Sequence, residues 1–436
     1  RSTQRQSTQM HMPPRSDSSP ILTADRNRLA AIVWRRLKPD SWPVQPTQLP
    51  QGSVLVGGAV RDAVLNRLSE TPDLDLVVPG NALESTRQLA KRLGGACVVL
   101  DEQRDMARLV LKGWTIDLAR QEGQTLEDDL NRRDYRLNAI ALSFDGSPQL
   151  IDPTGGLEDL REGRVVAVRE TNLQDDPLRL LRGLRLIAEL EMSMDSQTLS
   201  LLHRNRSLLP RAAPERIQAE LLRLVAAPAA AQTIPLISEL DLLEPWSTQS
   251  TGVDAEQNLG TCERSELLTD SERRLALPLA RLTRLLPDAG LRELRFSRRQ
   301  LQRCERLRYW IGRLTAEKGP PALEDLTEEQ RLQLHRDLEI DLPALILTWP
   351  AGLQQQWLER WRDPQDPLFH PRPPLDGTTL QEALSLSPGP ALGALIQHLS
   401  LERAYGRVST REQALKAARS WLSHQAVQTD PDGSCD

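Results

Sequence analysis

Two carboxylates spaced one residue apart, Asp73 and Asp75, follow closely behind a glycine pair, Gly57-Gly58. Val54-Leu55-Val56 is an apolar run that reads as a buried strand, and Gly57-Gly58 permits a tight turn with close backbone approach. Ala59 to Arg67 then reads as a helix. A strand, a glycine pair and a helix start turn free backbone N–H groups toward an anion, a geometry suited to a triphosphate. Arg61 can add a guanidinium clamp there. Leu74 to Val78 reads as a second strand, and alternation along it puts Asp73 and Asp75 on one face. Two carboxylates on one sheet edge can hold two Mg²⁺ ions for phosphoryl or nucleotidyl transfer. Taken singly, Gly-Gly is an ordinary turn and Asp-x-Asp a solvated strand end. Their order and spacing carry the reading.

Three further blocks could complete such a site. Asp117, inside the expected strand Trp114-Thr115-Ile116-Asp117-Leu118, is the best candidate for a third carboxylate, because a metal pair draws ligands from neighbouring strands. Arg132, Arg133, Asp134 and Asn138 precede an apolar run. They read either as a charged, solvated turn or as a clamp, with arginine for phosphate and Asp or Asn for sugar hydroxyls. Asp175-Asp176-Pro177-Leu178-Arg179 opens a helix that continues through Arg182 and Arg185, since Asp and Pro are helix-start residues. Capping plus a solvated arginine face would explain this block. Asp176 and Arg179, three apart, would also be neighbours on one helical face. An acceptor beside a forked donor matches the edges of cytosine and adenine and mismatches those of uracil and guanine.

These residues need a scaffold. Short apolar runs at 54–56, 74–78, 96–100, 107–111, 114–118, 139–144 and 165–168 alternate with helical patterns, which predicts an α/β domain. Asp25 to Lys38 reads as an amphipathic helix in front of it. After Asp175 the pattern turns to long amphipathic helices with no convincing strand. Thr248 to Thr269 is polar and reads as a loop. Arg273 to Arg313 is helical and basic, with twelve arginines against Asp288, Glu293 and Glu305. It is either a nucleic-acid patch or the solvated face of a helix pair. Proline-rich sequence at 364–374 introduces a last helical unit. The 436 residues suffice for more than one domain, and the net charge of -5 gives no global attraction for nucleic acid, so an RNA surface must be a local patch. Cys97, Cys262, Cys304 and Cys435 are scattered, which suggests neither a zinc site nor a disulfide framework. The sequence shows no bilayer-length apolar stretch and no signal-peptide pattern, and its first 24 residues read as a disordered polar tail. A cytoplasmic setting is expected.

Taken together, the blocks resemble the class II tRNA nucleotidyltransferase/poly(A) polymerase family. The resemblance rests on Gly57-Gly58-Ala59-Val60-Arg61-Asp62, Asp73-Leu74-Asp75, Arg132 to Ala139, Asp175 to Arg179, and Pro214-Glu215-Arg216-Ile217-Gln218-Ala219-Glu220-Leu221. It is strong over residues 51–230, with weaker echoes at 294–297 and 388–393. It implies a polymerase-β-like α/β nucleotidyltransferase head at 25–168, then an all-α neck at 169–230, body at 231–363 and tail at 364–436, the last two binding RNA. It implies addition of CMP and AMP, from CTP and ATP, to the 3′ end of tRNA with Mg²⁺ as cofactor. By carry-over, Asp73 and Asp75 would bind metal, with Asp117 the third carboxylate. Gly57, Gly58 and Arg61 would hold the triphosphate; Arg133, Asp134 and Asn138 would grip the nucleotide. Asp176 and Arg179 would read the base, with Arg182 beside them.

Three departures bear on the detail. Tyr135 and Arg136 stand where the family usually has Phe and Thr. Asp175 replaces the usual Glu. The segment Arg120 to Asp129 is short, where enzymes that add complete CCA generally carry a longer flexible segment. That shortness resembles the relatives that add only two Cs, with a separate A-adding enzyme as partner. A poly(A) polymerase and a non-catalytic RNA-binding protein are the competing readings, and the intact Asp73, Asp75 and Asp117 argue against the second.

Overall fold

The computed structural model describes residues 25–247, 267–314, 323, 325–347 and 349–428. The expected N-terminal tail and most of the expected loop at 248–269 lie outside the described residues. The chain forms two compact units, Arg1–Pro245 and Trp246–Asp436.

The first unit opens with helix α1 (Arg26–Leu37), strand β1 (Val54–Val56), helix α2 (Gly58–Val64), strand β2 (Leu74–Val78) and helix α3 (Ala82–Leu93). Strands β3 (Ala96–Asp101), β4 (Met106–Leu111) and β5 (Trp114–Arg120), helix α4 (Leu126–Leu130), and strands β6 (Ala141–Ser143) and β7 (Gln149–Ile151) follow. They build one mixed sheet in the order β3-β4-β5-β2-β1-β6-β7. β2 and β5 run parallel, and the other neighbours are antiparallel. Lys112 and Gly113, both at positive φ, form the two-residue turn between β4 and β5, a turn whose twist suits a hairpin. That turn fixes Arg108 opposite Asp117.

The two faces of the sheet differ. Leu74, Leu76, Leu109, Ile116 and Leu118 are fully buried on the face that packs on α3. On the other face Leu130 of α4 joins Val54, Val56, Val77, Ala139 and Ala141 in a second apolar cluster. This cover stops at β2. Along the row Val56–Asp75–Asp117–Arg108–Val98, exposure climbs from 1% at Val56 to 46% at Val98. Asp75 therefore sits where the dry half of the face meets the open half. At the far edge, Val98, Val99 and Leu100 of β3 are exposed, and a bulge interrupts the ladder between Val99 and Asp101.

The rest of this unit is largely helical: α5 (Gly156–Glu162), α6 (Glu170–Asp175), α7 (Leu178–Leu190), α8 (Ser196–Asn205), α9 (Pro214–Ala226) and α10 (Ala230–Glu239). α7 packs on α9, and Leu181, Leu184, Leu221 and Leu224 of the two helices are fully buried. Two strand expectations need correction. The run 139–144 is a strand only over β6, because a 3₁₀ turn at Arg136–Asn138 precedes it. The run 165–168 shrinks to β8 (Arg164–Val165), which pairs with β9 (Ser193–Met194), so one short strand does follow Asp175. β7 was not foreseen: its three residues include one buried side chain, Leu150, too short a run to register as a pattern.

The second unit is helical among its described residues. Thr269 caps the helix Asp270–Leu285, its hydroxyl accepting from Glu272 N while the Glu272 carboxylate accepts from Thr269 N. The helices Gly377–Leu384, Pro390–Ala404 and Arg411–Gln428 share a cluster of Leu380, Leu395, Leu399, Ala414 and Ala418. No helix of the described residues is long and apolar enough to cross a membrane.

His335 is the buried polar oddity of this unit. It is fully buried beside Trp357 and Phe369, with ring centroids 5.1 and 4.1 Å away, and neither ring nitrogen has a partner among the described residues. Burial, reinforced by the charges of Arg331 and Arg360, pulls its pKa down to about 3. The unfolded chain binds a proton near pH 6.5 that the folded chain refuses. The native state thus loses stability as pH falls from about 6.5 toward 3, with a slope of about 1.4 kcal/mol per pH unit from this group. His335→Phe should remove that slope, giving a gain of about 2 kcal/mol at pH 5 over the wild type. Denaturant unfolding at pH 5 and pH 8 measures it; equal pH dependence in the two proteins would contradict the assignment.

Candidate active site

Three blocks distant in sequence converge on the turn after β1. Gly57 adopts φ +74° and its N–H donates to Ile140 O at 3.3 Å. A methyl group at Gly57 would stand 3.6 Å from Asp75 Oδ2 and 3.6 Å from Arg133 Nη1. The positive φ explains the glycine, since a side chain there would meet only ordinary van der Waals contacts but a strained backbone. Gly58 begins α2, and Arg61 on its first turn lies 3.6 Å (Nη2) from where a Gly58 Cβ would be.

Asp73 is exposed just before β2, and Asp75 lies within it, in parallel register beside Asp117 of β5. Burial first, then the charges of Asp117 and Asp73, push the Asp75 carboxyl up to about 6 against the pull of Arg133 and Arg108. Asp117 is engaged: Arg108 donates from Nε and Nη2 to its two oxygens at 2.8 and 2.9 Å. Among the described residues no three His, Cys, Asp or Glu groups form a ready ligand cluster. The donor set nevertheless fits a hard divalent cation. Asp73 and Asp75 offer carboxylate oxygens at an edge where burial, and after it the charges of Asp117 and Asp73, disfavour the ionised form of Asp75, a penalty that a bound cation would offset.

The clamp block is laced together behind this edge. Arg61 Nη1 donates to Asn138 Oδ1 at 2.7 Å, and Asn138 Nδ2 donates to Asp134 Oδ1 at 3.2 Å. Asp134 also accepts from Tyr135 N and, at 3.4 Å, from Arg182 Nη1. Burial would raise the Asp134 carboxyl, but Arg182, Arg179 and these hydrogen bonds outweigh it and hold it below its ordinary value. Arg182 Nε donates onward to Glu220, which also takes Arg185. Arg133 pairs with Asp129 at 3.3 Å.

The base-reading block departs from its expected geometry. Asp176 is extended (φ -134°, ψ 93°) in the break between α6 and α7, so it does not share a helical face with Arg179. The cause is Pro177, which disfavours helical backbone in the residue before it. Asp176 instead accepts from Arg216 Nη1 and Nη2 at 3.2 and 2.8 Å. Burial would raise its carboxyl, but the Arg216 contact and nearby arginines hold it low. Arg179 Nη1 donates to Arg132 O and Asn172 O. Asp176 and Arg179 still belong to one turn of chain, since Arg179 N donates to Asp176 O at 3.0 Å.

Sequence reasoning missed Arg108, Asn172, Gly183 and the pairing of Arg216 with Asp176. Arg108 had a readable signal in the Lys112-Gly113 turn. Arg216 stood in the Pro214–Leu221 block, but nothing signalled its pairing with Asp176, forty residues away.

The model described as "Poly A polymerase head domain" matches residues 53–166, and "Probable RNA and SrmB- binding site of polymerase A" matches residues 191–247. A CC-adding tRNA nucleotidyltransferase of Synechocystis is 32% identical over 405 residues, covering 86% of this chain and 95% of that protein. The chain belongs to the tRNA nucleotidyltransferase/poly(A) polymerase family. An A-adding tRNA nucleotidyltransferase of Deinococcus radiodurans is 30% identical over 431 residues, covering 87% and 97%. A solved structure of a CCA-adding enzyme with ATP shares the fold: TM-score 0.63 at 21% identity, over 97% of this chain and all of the other. The chain is a nucleotidyltransferase, of the polymerase-β type that uses divalent metal ions.

Proposed function

We propose that this nucleotidyltransferase adds two CMP residues from CTP to the 3′ end of tRNA, without a nucleic-acid template, releasing pyrophosphate. The observation that carries the chemistry is the convergence of Asp75, Arg133 and the Gly57 turn within 3.6 Å of one point. In the proposal Asp73 and Asp75 hold Mg²⁺, with Asp117 as the third carboxylate. Bound Mg²⁺ supplies charge neutralisation for the attacking 3′-oxygen and the leaving pyrophosphate. Gly57, Gly58 and Arg61 receive the triphosphate, with Arg133 reaching across the turn. Asp134 and Asn138 take the ribose hydroxyls. Arg182 ties Asp134 to Glu220 one step behind them. Asp176 and Arg179 face the base, once the contacts they now make within the chain yield to it.

The restriction to C rests on the segment between β5 and α4. Gln121 N donates to Val78 O, Glu122 N to Asp129, and Gln124 N and Thr125 N to Asp128, at 2.8 to 3.0 Å. Such a closed turn has no spare length to lever the base-reading block outward for adenine. A separate A-adding enzyme then completes the end, and a cytoplasmic location goes with the substrate. Head, neck, body and tail divide at 25–168, 169–230, 231–363 and 364–436 in this proposal.

A tRNA lacking CCA, incubated with labelled CTP alone, ATP alone and both, tests it. Products ending after two Cs are expected under all conditions containing CTP. Complete CCA from the single protein would overturn the C-only reading. AMP runs on unrelated RNA would favour a poly(A) polymerase, and tRNA binding without incorporation a non-catalytic protein.

The helix Arg298–Leu314 presents the RNA surface in this proposal. Cys304, Leu307, Trp310 and Leu314 bury one side. Arg303 and Arg308 are spent on Asp341 and Asp288. Arg299, Arg306 and Arg313, seven residues apart, form one exposed stripe with Tyr309 beside it; Arg306 Nη1 donates to the backbone O of Asp337, and no carboxylate pairs with those three arginines among the described residues. Replacing the three by Gln should flatten the slope of log affinity against log salt by about 2, at roughly 0.7–0.9 per phosphate contact. Filter binding of tRNA across a salt series measures it, and an unchanged slope would remove this face from the interface.

A further inference from the structure

The clamp and the base-reading helix are joined by a set of contacts that the reaction chemistry does not require. Tyr135 is fully buried, and its Oη donates to the backbone O of Arg179 at 2.7 Å. Its ring tip fills a notch on α7 that exists because residue 183 is glycine. A Cβ there would lie 2.0 Å from Tyr135 Oη and 2.5 Å from Cζ. A second tie runs beside it: Asn172 Nδ2 donates to Asn131 O at 2.9 Å and Arg133 O at 2.8 Å. Each contact spans the same gap, from residues 131–135 of the clamp to residues 172–183 around the start of α7.

We propose that Tyr135 is a positioning residue for nucleotide choice: its hydroxyl pins α7 to the clamp and so holds the spacing between the Asp134 clamp and Arg179 at the value that suits cytosine. The proposal rests on the nucleotidyltransferase reading and deepens it. A purine needs a longer pocket than a pyrimidine, so the first turn of α7 must move away from Asp134 and Asn138. That motion breaks the Tyr135–Arg179 bond and drives the Gly183 backbone along a ring that already touches it. A phenylalanine would fill the same notch and leave the helix free of the hydroxyl's tie.

Tyr135→Phe removes the hydroxyl and keeps the ring. It should raise kcat/KM for ATP on a tRNA ending in CC, relative to kcat/KM for CTP on a tRNA lacking CCA, by about tenfold, the equivalent of one buried hydrogen bond of about 1.4 kcal/mol. Asn172→Ala, which cuts the second tie, should shift the ratio in the same direction. A structural role alone would lower both values in parallel. That outcome, or a ratio within about twofold of the wild type, would overturn the proposal. Amide hydrogen exchange over residues 178–183 tests the pin without turnover. Faster exchange in Tyr135→Phe supports it and unchanged exchange refutes it, even if the wild-type protein incorporated no nucleotide and the activity reading failed.

Discussion

Asp75→Asn is expected to yield a protein that is at once on the order of a thousandfold slower in nucleotide incorporation and more stable at pH 8. The two effects share one cause. Asp75 is a carboxylate held half-buried beside two others, with its pKa pushed to about 6. An unfolded chain releases that proton near the ordinary 3.8. The folded state therefore binds more protons between these values, and this group makes stability fall as pH rises from about 4 to 6. Above pH 6 the cost is constant, about 3 kcal/mol at most. The amide carries no charge, so it escapes the cost and loses the capacity to hold a cation. Steady-state incorporation with CTP, together with denaturant unfolding at pH 4.5 and pH 8, checks both halves. A folded variant with near-normal turnover would end the two-carboxylate assignment. A variant no more stable at pH 8 than the wild type would show that the crowding at this edge is relieved by other means.

The second large effect is expected far from the sheet edge. Glu220 of α9 is buried and accepts from both Arg182 and Arg185 of α7, and Arg185 is itself buried. Glu220→Ala leaves two guanidinium groups without their shared counter-charge, Arg185 buried and Arg182 partly exposed. Removing one member of a buried ionic cluster costs about 3–5 kcal/mol, because the desolvated charge left behind is not compensated. Glu189 partly covers Arg185, and Asp134 partly covers Arg182, so the lower end of that range is expected. The same change releases Arg182 from one side and loosens its grip on Asp134. The affinity for CTP should fall with the stability, whereas Glu220→Gln, which keeps an acceptor, should lose less of each. Urea unfolding of the three proteins measures the first effect. A loss below about 1 kcal/mol in Glu220→Ala would mean that Glu189 and Asp134 suffice.

Much of the site was legible because it depends on local rules. Val54 to Gly58 is a strand and a turn by composition, and alternation along β2 set the Asp73–Asp75 pair. The two-residue turn at Lys112-Gly113 makes the β4–β5 register computable from sequence, so the Arg108–Asp117 contact was readable although it was not read. The Asp176 error was also local: proline acts on the residue before it, which takes Asp176 off the helix. What could not be read depends on packing between distant segments. Nothing near Asp176 names Arg216 as its partner, and nothing near Gly183 says that a tyrosine ring occupies the space of its missing side chain. β7 and β9 escaped for another reason. They are so short that their pairing, more than their own composition, makes them strands.

The outer rim of the sheet bears on how this protein behaves when it is warmed. β3 is an edge strand, so its outward backbone groups have no ladder partner among the described residues, and Val98, Val99 and Leu100 add exposed apolar side chains. The bulge between Val99 and Asp101 twists part of that rim away from a flat neighbour. Partly melted chains can still meet there, rim to rim, and seed precipitates. Heat inactivation should then be irreversible, with a midpoint that drops as protein concentration rises, and a lysine at Val98 or Leu100 should restore clear solutions on cooling.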